Sequence, residues 1–239
     1  PQYENSWQYA QLDGDTRLNA KLNWLRAGVL GANDGIVSTA GLVMGVAGAA
    51  VSSTTLLIAG LAGVIAGALS MAGGEYVSVS SQRDTEVAAI ETERRKLATQ
   101  PEVELAILTA IYRSRGLSDA TAEAVATELS ATDPLGAHTE AKLGIDAEER
   151  TSPWHAAWAS MVAFTIGALI PLLAMVLAPV SLRVWSTVIA VTAALLLTGL
   201  ISARLGGGSP VRPMARNLVV GTLAMGVTYL VGHLVGTQL

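Results

Sequence analysis

The sequence has no cysteine and a single phenylalanine, and only 14% of its 239 residues are charged. The missing cysteine excludes a disulfide-stapled fold, a thiolate metal site, a cysteine nucleophile and a cysteine-held cluster. The scarce charge is also unevenly placed. All 19 acidic residues lie at or before Glu149, so residues 150–239 carry no acidic side chain. A soluble domain has about 25% charged residues and does not leave so long a stretch without an acid. With a formal net charge of −4 and no basic patch, nucleic acid is excluded as a partner. What is abundant is apolar: 51% of the residues are hydrophobic, which points to an integral membrane protein with the lipid bilayer as its solvent.

Crossing about 30 Å of hydrocarbon takes roughly 20 mostly apolar residues. Five stretches qualify, at about 27–51, 55–79, 154–178, 182–205 and 218–239. The first lies behind a polar start, is too long for a signal-peptide core and runs into the second, so it reads as a span. The expected organisation is an amphipathic segment at 1–26, spans one and two within 27–79, a polar insert at 80–150, and spans three to five within 151–239. The fold class is an all-α integral membrane protein, five transmembrane helices with a helical insert between the second and third.

Basic residues set the expected orientation. Arg17, Lys21 and Arg26 precede span one, the insert holds eight Lys and Arg, and Arg204, Arg212 and Arg216 join spans four and five, leaving only Arg183 for the opposite side. The positive-inside rule puts the N-terminus and the insert in the cytosol and the C-terminus outside.

The insert reads as helices. Between Ser80 and about Thr99 there is no Gly or Pro, so span two should continue as one helix out of the membrane. Pro101 suits a first helical turn, with Thr99 and Glu102 spaced as a capping box, and Leu105, Leu108 and Tyr112 form an apolar stripe. Gly116 fits a stop, Ser118 a cap for a helix with Val125 and Leu129 on one side, and Asp133-Pro134 a break before a short piece around 137–143. The N-terminal segment, with Trp7, Tyr9, Leu12, Leu18, Leu22 and Trp24, suits a membrane surface. Gly31/Gly35, Gly41/Gly45, Gly63/Gly67 and Gly232/Gly236 have the spacing that lets membrane helices approach closely.

Only two carboxylates fall inside the spans, Asp34 and Glu75. Each costs roughly 2.5–3.5 kcal/mol at a helix centre, so such residues face a cavity, a partner or a pathway. Glu75 has a blander reading, snorkelling to the interface from the end of span two. Met71 shares its helix face at i−4, and Asn33 precedes Asp34. Two carboxylates, an amide and a thioether form a ligand set for a divalent cation, and the thioether favours late first-row metals over Mg²⁺ or Ca²⁺. A methionine in a membrane helix is more often packing, and His233, near the outer end of span five, suits an interfacial role.

These residues carry a resemblance. Gly31-Ala32-Asn33-Asp34-Gly35-Ile36-Val37-Ser38 resembles the first span of the vacuolar iron transporter family, and Ser70-Met71-Ala72-Gly73-Gly74-Glu75-Tyr76 the end of its second. Pro101-Glu102, Ile111-Tyr112, Arg115-Gly116-Leu117, Ala137-His138 and Leu143-Gly144-Ile145-Asp146 are similar in turn. The resemblance implies a homodimer that exchanges cytosolic Fe²⁺, and often Mn²⁺, for protons, with no enzymatic activity and no cofactor beyond the cargo. It also implies a pathway through Asp34, Met71 and Glu75, with Asn33 beside it. The Ala- and Gly-rich composition suggests a bacterial plasma membrane, whereas eukaryotic relatives lie in the vacuolar membrane.

The resemblance further implies a metal site in the insert, built from Glu residues spaced three apart in two helices and one more Glu. Here those positions read Glu93 and Lys96, Glu104 and Ile107, and Lys142, with Glu140 close by. An ammonium repels a divalent cation and cannot ligate it. Glu93, Glu104 and Glu140 are therefore what is left of a degraded site, and the insert is expected to bind metal weakly or not at all. Two further readings stand beside metal–proton exchange: a non-transporting membrane protein whose insert binds a partner, and a transporter of the same fold with another cargo.

Overall fold

The computed structural model describes residues 28–144 and 152–238. The amphipathic N-terminal segment expected at 1–26 lies outside the described residues. All regular structure among the described residues is helical. In order it runs α1 (Gly28–Gly48), α2 (Ser53–Thr99), α3 (Pro101–Ser114), α4 (Asp119–Thr132), α5 (Pro134–His138), a π-helical turn (Thr139–Leu143), α6 (Pro153–Leu177), α7 (Arg183–Leu205) and α8 (Val211–Gly236). Five of these, α1, α2, α6, α7 and α8, are long and apolar enough to cross a membrane. The fifth span begins at Val211, earlier than its hydropathy suggests, because Arg212, Arg216 and Asn217 join its first turns without breaking the helix. As the unbroken run from Ser80 implied, α2 is one helix of 47 residues, about twice what a bilayer crossing needs.

The chain forms two compact units. One ends its first part at Val77 and resumes at Pro153; the other is Ser78–Ser152. Helix α2 contributes to both.

In the membrane unit the glycines are used for contact. A Cβ at position 31 would lie 2.9 Å from the Ser160 carbonyl oxygen, and one at 167 would lie 2.2 Å from that of Ala32, so α1 and α6 touch through their backbones. Farther along, α1 meets α8 in the same way, where a Cβ at 232 would lie 1.8 Å from the Gly45 carbonyl oxygen. Without a hydrophobic drive between helices in lipid, such close van der Waals contact is what joins them. The core between these helices holds Ile36, Ala40, Val43, Leu56, Phe164, Leu172, Met175, Val191 and Leu195, all buried. The Gly31/Gly35 face of α1 is thus spent on α6 within one protomer, and is not the free face for a second copy that its spacing invites.

The insert departs from the sequence reading at two points. The N-cap of α3 is Gln100, with no side-chain capping bond, and Thr99 donates instead to the Arg95 carbonyl at 2.9 Å as part of α2. Pro101 opens α3, but the capping box does not form. In α4 the buried positions are Ala122 and Ala126, while Leu129 is exposed. The larger side chains are displaced because two alanines let α4 lie close against α3, whose Leu108 is fully buried. Ser118 accepts from the Thr121 amide at the start of α4, and Asp133 caps α5 by accepting from the Gly136 amide at 3.0 Å. Gly116, with φ +100°, makes the left-handed step that ends α3.

Candidate functional site

A cavity of about 400 Å³ opens between α1 and α2 in the membrane unit. Its lining includes Asp34 and Ser38 from α1, Ser70, Met71 and Glu75 from α2, and Phe164 from α6. Helical spacing explains the set. Asp34 and Ser38 are one turn apart on α1, and Gly63, Gly67, Ser70, Met71, Gly74 and Glu75 form one stripe along α2. Gly63 and Gly67 let neighbouring side chains close in on α2: a Cβ at 67 would lie 2.3 Å from the Phe164 ring and one at 63 would lie 2.2 Å from Leu42. Beside Glu75, Tyr76 meets Trp154 of α6 with ring centroids 4.7 Å apart, which fixes this end of the span against α6.

Three of the four sequence-derived pathway residues, Asp34, Met71 and Glu75, therefore share one cavity. Asn33 does not line it. A residue on from Asp34 turns by about 100° on a helix, and the Asn33 side-chain oxygen is buried without a hydrogen-bond partner among the described residues. Among the described residues no basic side chain pairs with Asp34 or Glu75. Ser38 donates to the Asp34 carbonyl oxygen at 2.6 Å and lines the cavity beside it. Sequence reasoning passed over Ser38, Ser70 and Phe164, although the first stands at i+4 from Asp34.

The insert holds a second cluster. Glu93 of α2, Glu104 of α3 and His138 of α5 are all buried, and a ligand atom from each lies within 4.8 Å of the others. The His138 Nδ1–H donates to Glu93 Oε1 at 3.2 Å and lies 3.6 Å from Glu104 Oε2. Lys142, from the π-helical turn, donates from its single ammonium to both Glu93 Oε1 and Glu104 Oε2, while Lys96 lies 3.6 Å from Glu93 Oε2. Burial would raise the Glu93 carboxyl, but the bond and charge of Lys142, with Lys96, hold it below its ordinary value. Burial pushes the His138 imidazole down, and the Lys142 charge adds to this. Burial also opposes the Lys142 ammonium, yet its bonds to Glu104 and Glu93 raise it above the usual lysine value.

Glu140, expected beside this cluster, is exposed and stays outside it. It sits two residues from Lys142 and so faces away on the turn. His138 takes the place that the sequence reading gave to Glu140. The signals for it in the sequence were the Ala137-His138 pair and its position four residues before Lys142.

The five long apolar helices, with two carboxylates set in a cavity between α1 and α2, define a multi-pass integral membrane protein. A family model described as "VIT family" matches residues 25–233. The chain belongs to the VIT family. It is 40% identical over 232 residues to "Vacuolar iron transporter" of Acanthamoeba castellanii, covering 95% of this chain and 85% of that one. It is 38% identical to "Vacuolar iron transporter homolog 2" of Arabidopsis thaliana, over 89% of this chain and 85% of that one. Against "Vacuolar iron transporter homolog 1" of rice, Oryza sativa, identity is 39% over 93% of this chain and 78% of the relative.

Proposed function

We propose that this protein exchanges a cytosolic divalent metal, Fe²⁺ with Mn²⁺ as a second cargo, for protons from the other side of the membrane. The observation that carries the reading is the convergence of Asp34, Met71 and Glu75 on one cavity inside the membrane unit, with no basic partner among the described residues. An unpaired carboxylate is costly in low dielectric and is relieved either by a proton or by a cation. Asp34 and Glu75 would alternate between those two states, which couples the flows without a separate gate for each. The Met71 thioether tilts the site toward softer metals, and the Ser38 and Ser70 hydroxyls can replace part of a metal's water shell. The names of the relatives support iron as the cargo.

In this reading the N-terminus and insert lie in the cytosol, following the basic residues, and the Ala- and Gly-rich composition points to a bacterial plasma membrane. The cavity is bordered by the exposed residues Asp34, Ser38, Ser70 and Gly74, so a wall is missing on that side. A second copy related by a two-fold axis would supply it. Purified protein in liposomes, given Fe²⁺ outside and a pH-sensitive dye inside, tests the proposal. Metal uptake accompanied by proton efflux supports it; uptake with no pH change removes the exchange, and no uptake of Fe²⁺, Mn²⁺ or Zn²⁺ removes transport.

A further inference from the structure

Buried carboxylates must be paired, and the insert buries two, Glu93 at 3% and Glu104 at 4% exposure. They come from different helices, α2 and α3, and would repel if left alone. One ammonium, that of Lys142, donates to both. Lys96 stands on the other oxygen of Glu93, so two anions face two cations, and the neutral His138 fills the remaining side. A divalent ion added to this arrangement would meet a cluster already neutral and an ammonium at the point where the carboxylate oxygens converge.

We propose that Lys142 is a covalently tethered cation that locks α2, α3 and the π-helical turn together, doing for the insert what a bound divalent metal would do, and thereby closing the cluster to metal. The two carboxylates it holds and the His138 imidazole beside them are themselves competent ligands. Two carboxylate oxygens and an imidazole nitrogen already lie within 4.8 Å of one another. With its proton moved to Nε2, the Nδ1 of His138 offers a lone pair to the same point. Removing the ammonium leaves the cluster with a net negative charge and three converging donors, a set that suits Zn²⁺. The lysine therefore decides between an ion-locked and a metal-locked insert, independently of what the membrane cavity carries.

Hydrogen exchange on the full-length protein in detergent tests this, with Zn²⁺ as the redox-inert probe. Wild-type amides around residues 93, 104 and 138–142 should exchange slowly, at rates indifferent to Zn²⁺ or to EDTA. Lys142→Met, close in length but uncharged, should exchange at least tenfold faster there, and micromolar Zn²⁺ should restore the slow rate. Lys142→Met combined with His138→Ala should not recover with Zn²⁺, and Lys142→Arg, which keeps the charge, should stay slow without metal. Slowing of the wild-type insert by Zn²⁺ would overturn the proposal. So would full protection of Lys142→Met in EDTA, or its failure to gain protection from Zn²⁺.

Discussion

The carbonyl oxygen of Phe164 stands 2.2 Å from where a Cβ of residue 35 would be, so only glycine at 35 lets α1 and α6 lie in backbone contact. The ring of the same Phe164, the one phenylalanine of the chain, fills the space above Gly67 of α2. Phe164 thus sets the distances of both walls of the cavity. Gly35 faces inward and is buried, and its neighbour Asp34 is turned outward into the opening.

Gly35→Ala should therefore push α1 away from α6 and lower the thermal midpoint in detergent by several degrees. Gly28→Ala, where a Cβ would meet nothing within 4 Å among the described residues, should leave it unchanged or slightly raised. Phe164→Ala should cost about 3–5 kcal/mol by the usual cavity scale. Scanning fluorimetry on the three variants separates them, and equal midpoints for Gly35→Ala and wild type would mean the helices are not in contact.

The insert should have a pH window. Glu93 has a lowered pKa, so its stabilisation is present above the ordinary carboxylate value of 4.5 and is lost as pH falls through the folded value. His138 is also lowered, and charging it in its buried place begins to destabilise the insert once pH drops below about 6.5. Lys142 is raised, so its contribution is full below 10.5 and lost as pH climbs through the folded value. Hydrogen exchange corrected for intrinsic rates should show greatest protection of residues 93–142 between about pH 6.5 and 10.5. Greater protection at pH 5 than at pH 8 would contradict the cluster.

Glu140 distinguishes the observed cluster from the one the sequence suggested. Because it is exposed, Glu140→Gln should change the insert's stability by no more than about 0.5 kcal/mol. Glu104→Gln leaves the Lys142 ammonium with half its anionic partners and should cost several times that. Parallel exchange or denaturation curves give the comparison.

Much of this was legible in the sequence for a simple reason. Span number, the long α2 and the stops at Gly116 and Asp133-Pro134 rest on local signals: apolar length, an unbroken run, a glycine at positive φ and an Asp cap. Asp34 and Glu75 stood out because a carboxylate in a span needs a reason, and Met71 because it shares the helix face of Glu75 one turn away. What could not be read was which faces meet. Gly31/Gly35 spacing is the same whether the partner is α6 or another protomer, and Lys142 next to a carboxylate pair looks like a lost ligand until the fold carries its ammonium between Glu93 and Glu104.

The proposal of a second copy at the cavity can be tested directly, since the chain has no native cysteine. Gly73 is exposed, with nothing within 4 Å of an added Cβ among the described residues, and stands next to the cavity-lining Gly74. Gly73→Cys in native-like membranes should cross-link into covalent dimers, whereas Trp185→Cys, exposed on α7, should not. Monomers alone from Gly73→Cys would remove the second copy from that side.

The central claim, that cargo and proton share the carboxylates of one cavity, is tested most directly by Fe²⁺ uptake into proteoliposomes holding Asp34→Asn beside wild type. The substitution keeps the side chain's shape and removes the group that can exchange a proton for a metal. Uptake at the background of empty vesicles, with an unchanged thermal midpoint, is the predicted result. Wild-type Fe²⁺ uptake by a well-folded Asp34→Asn protein would contradict it.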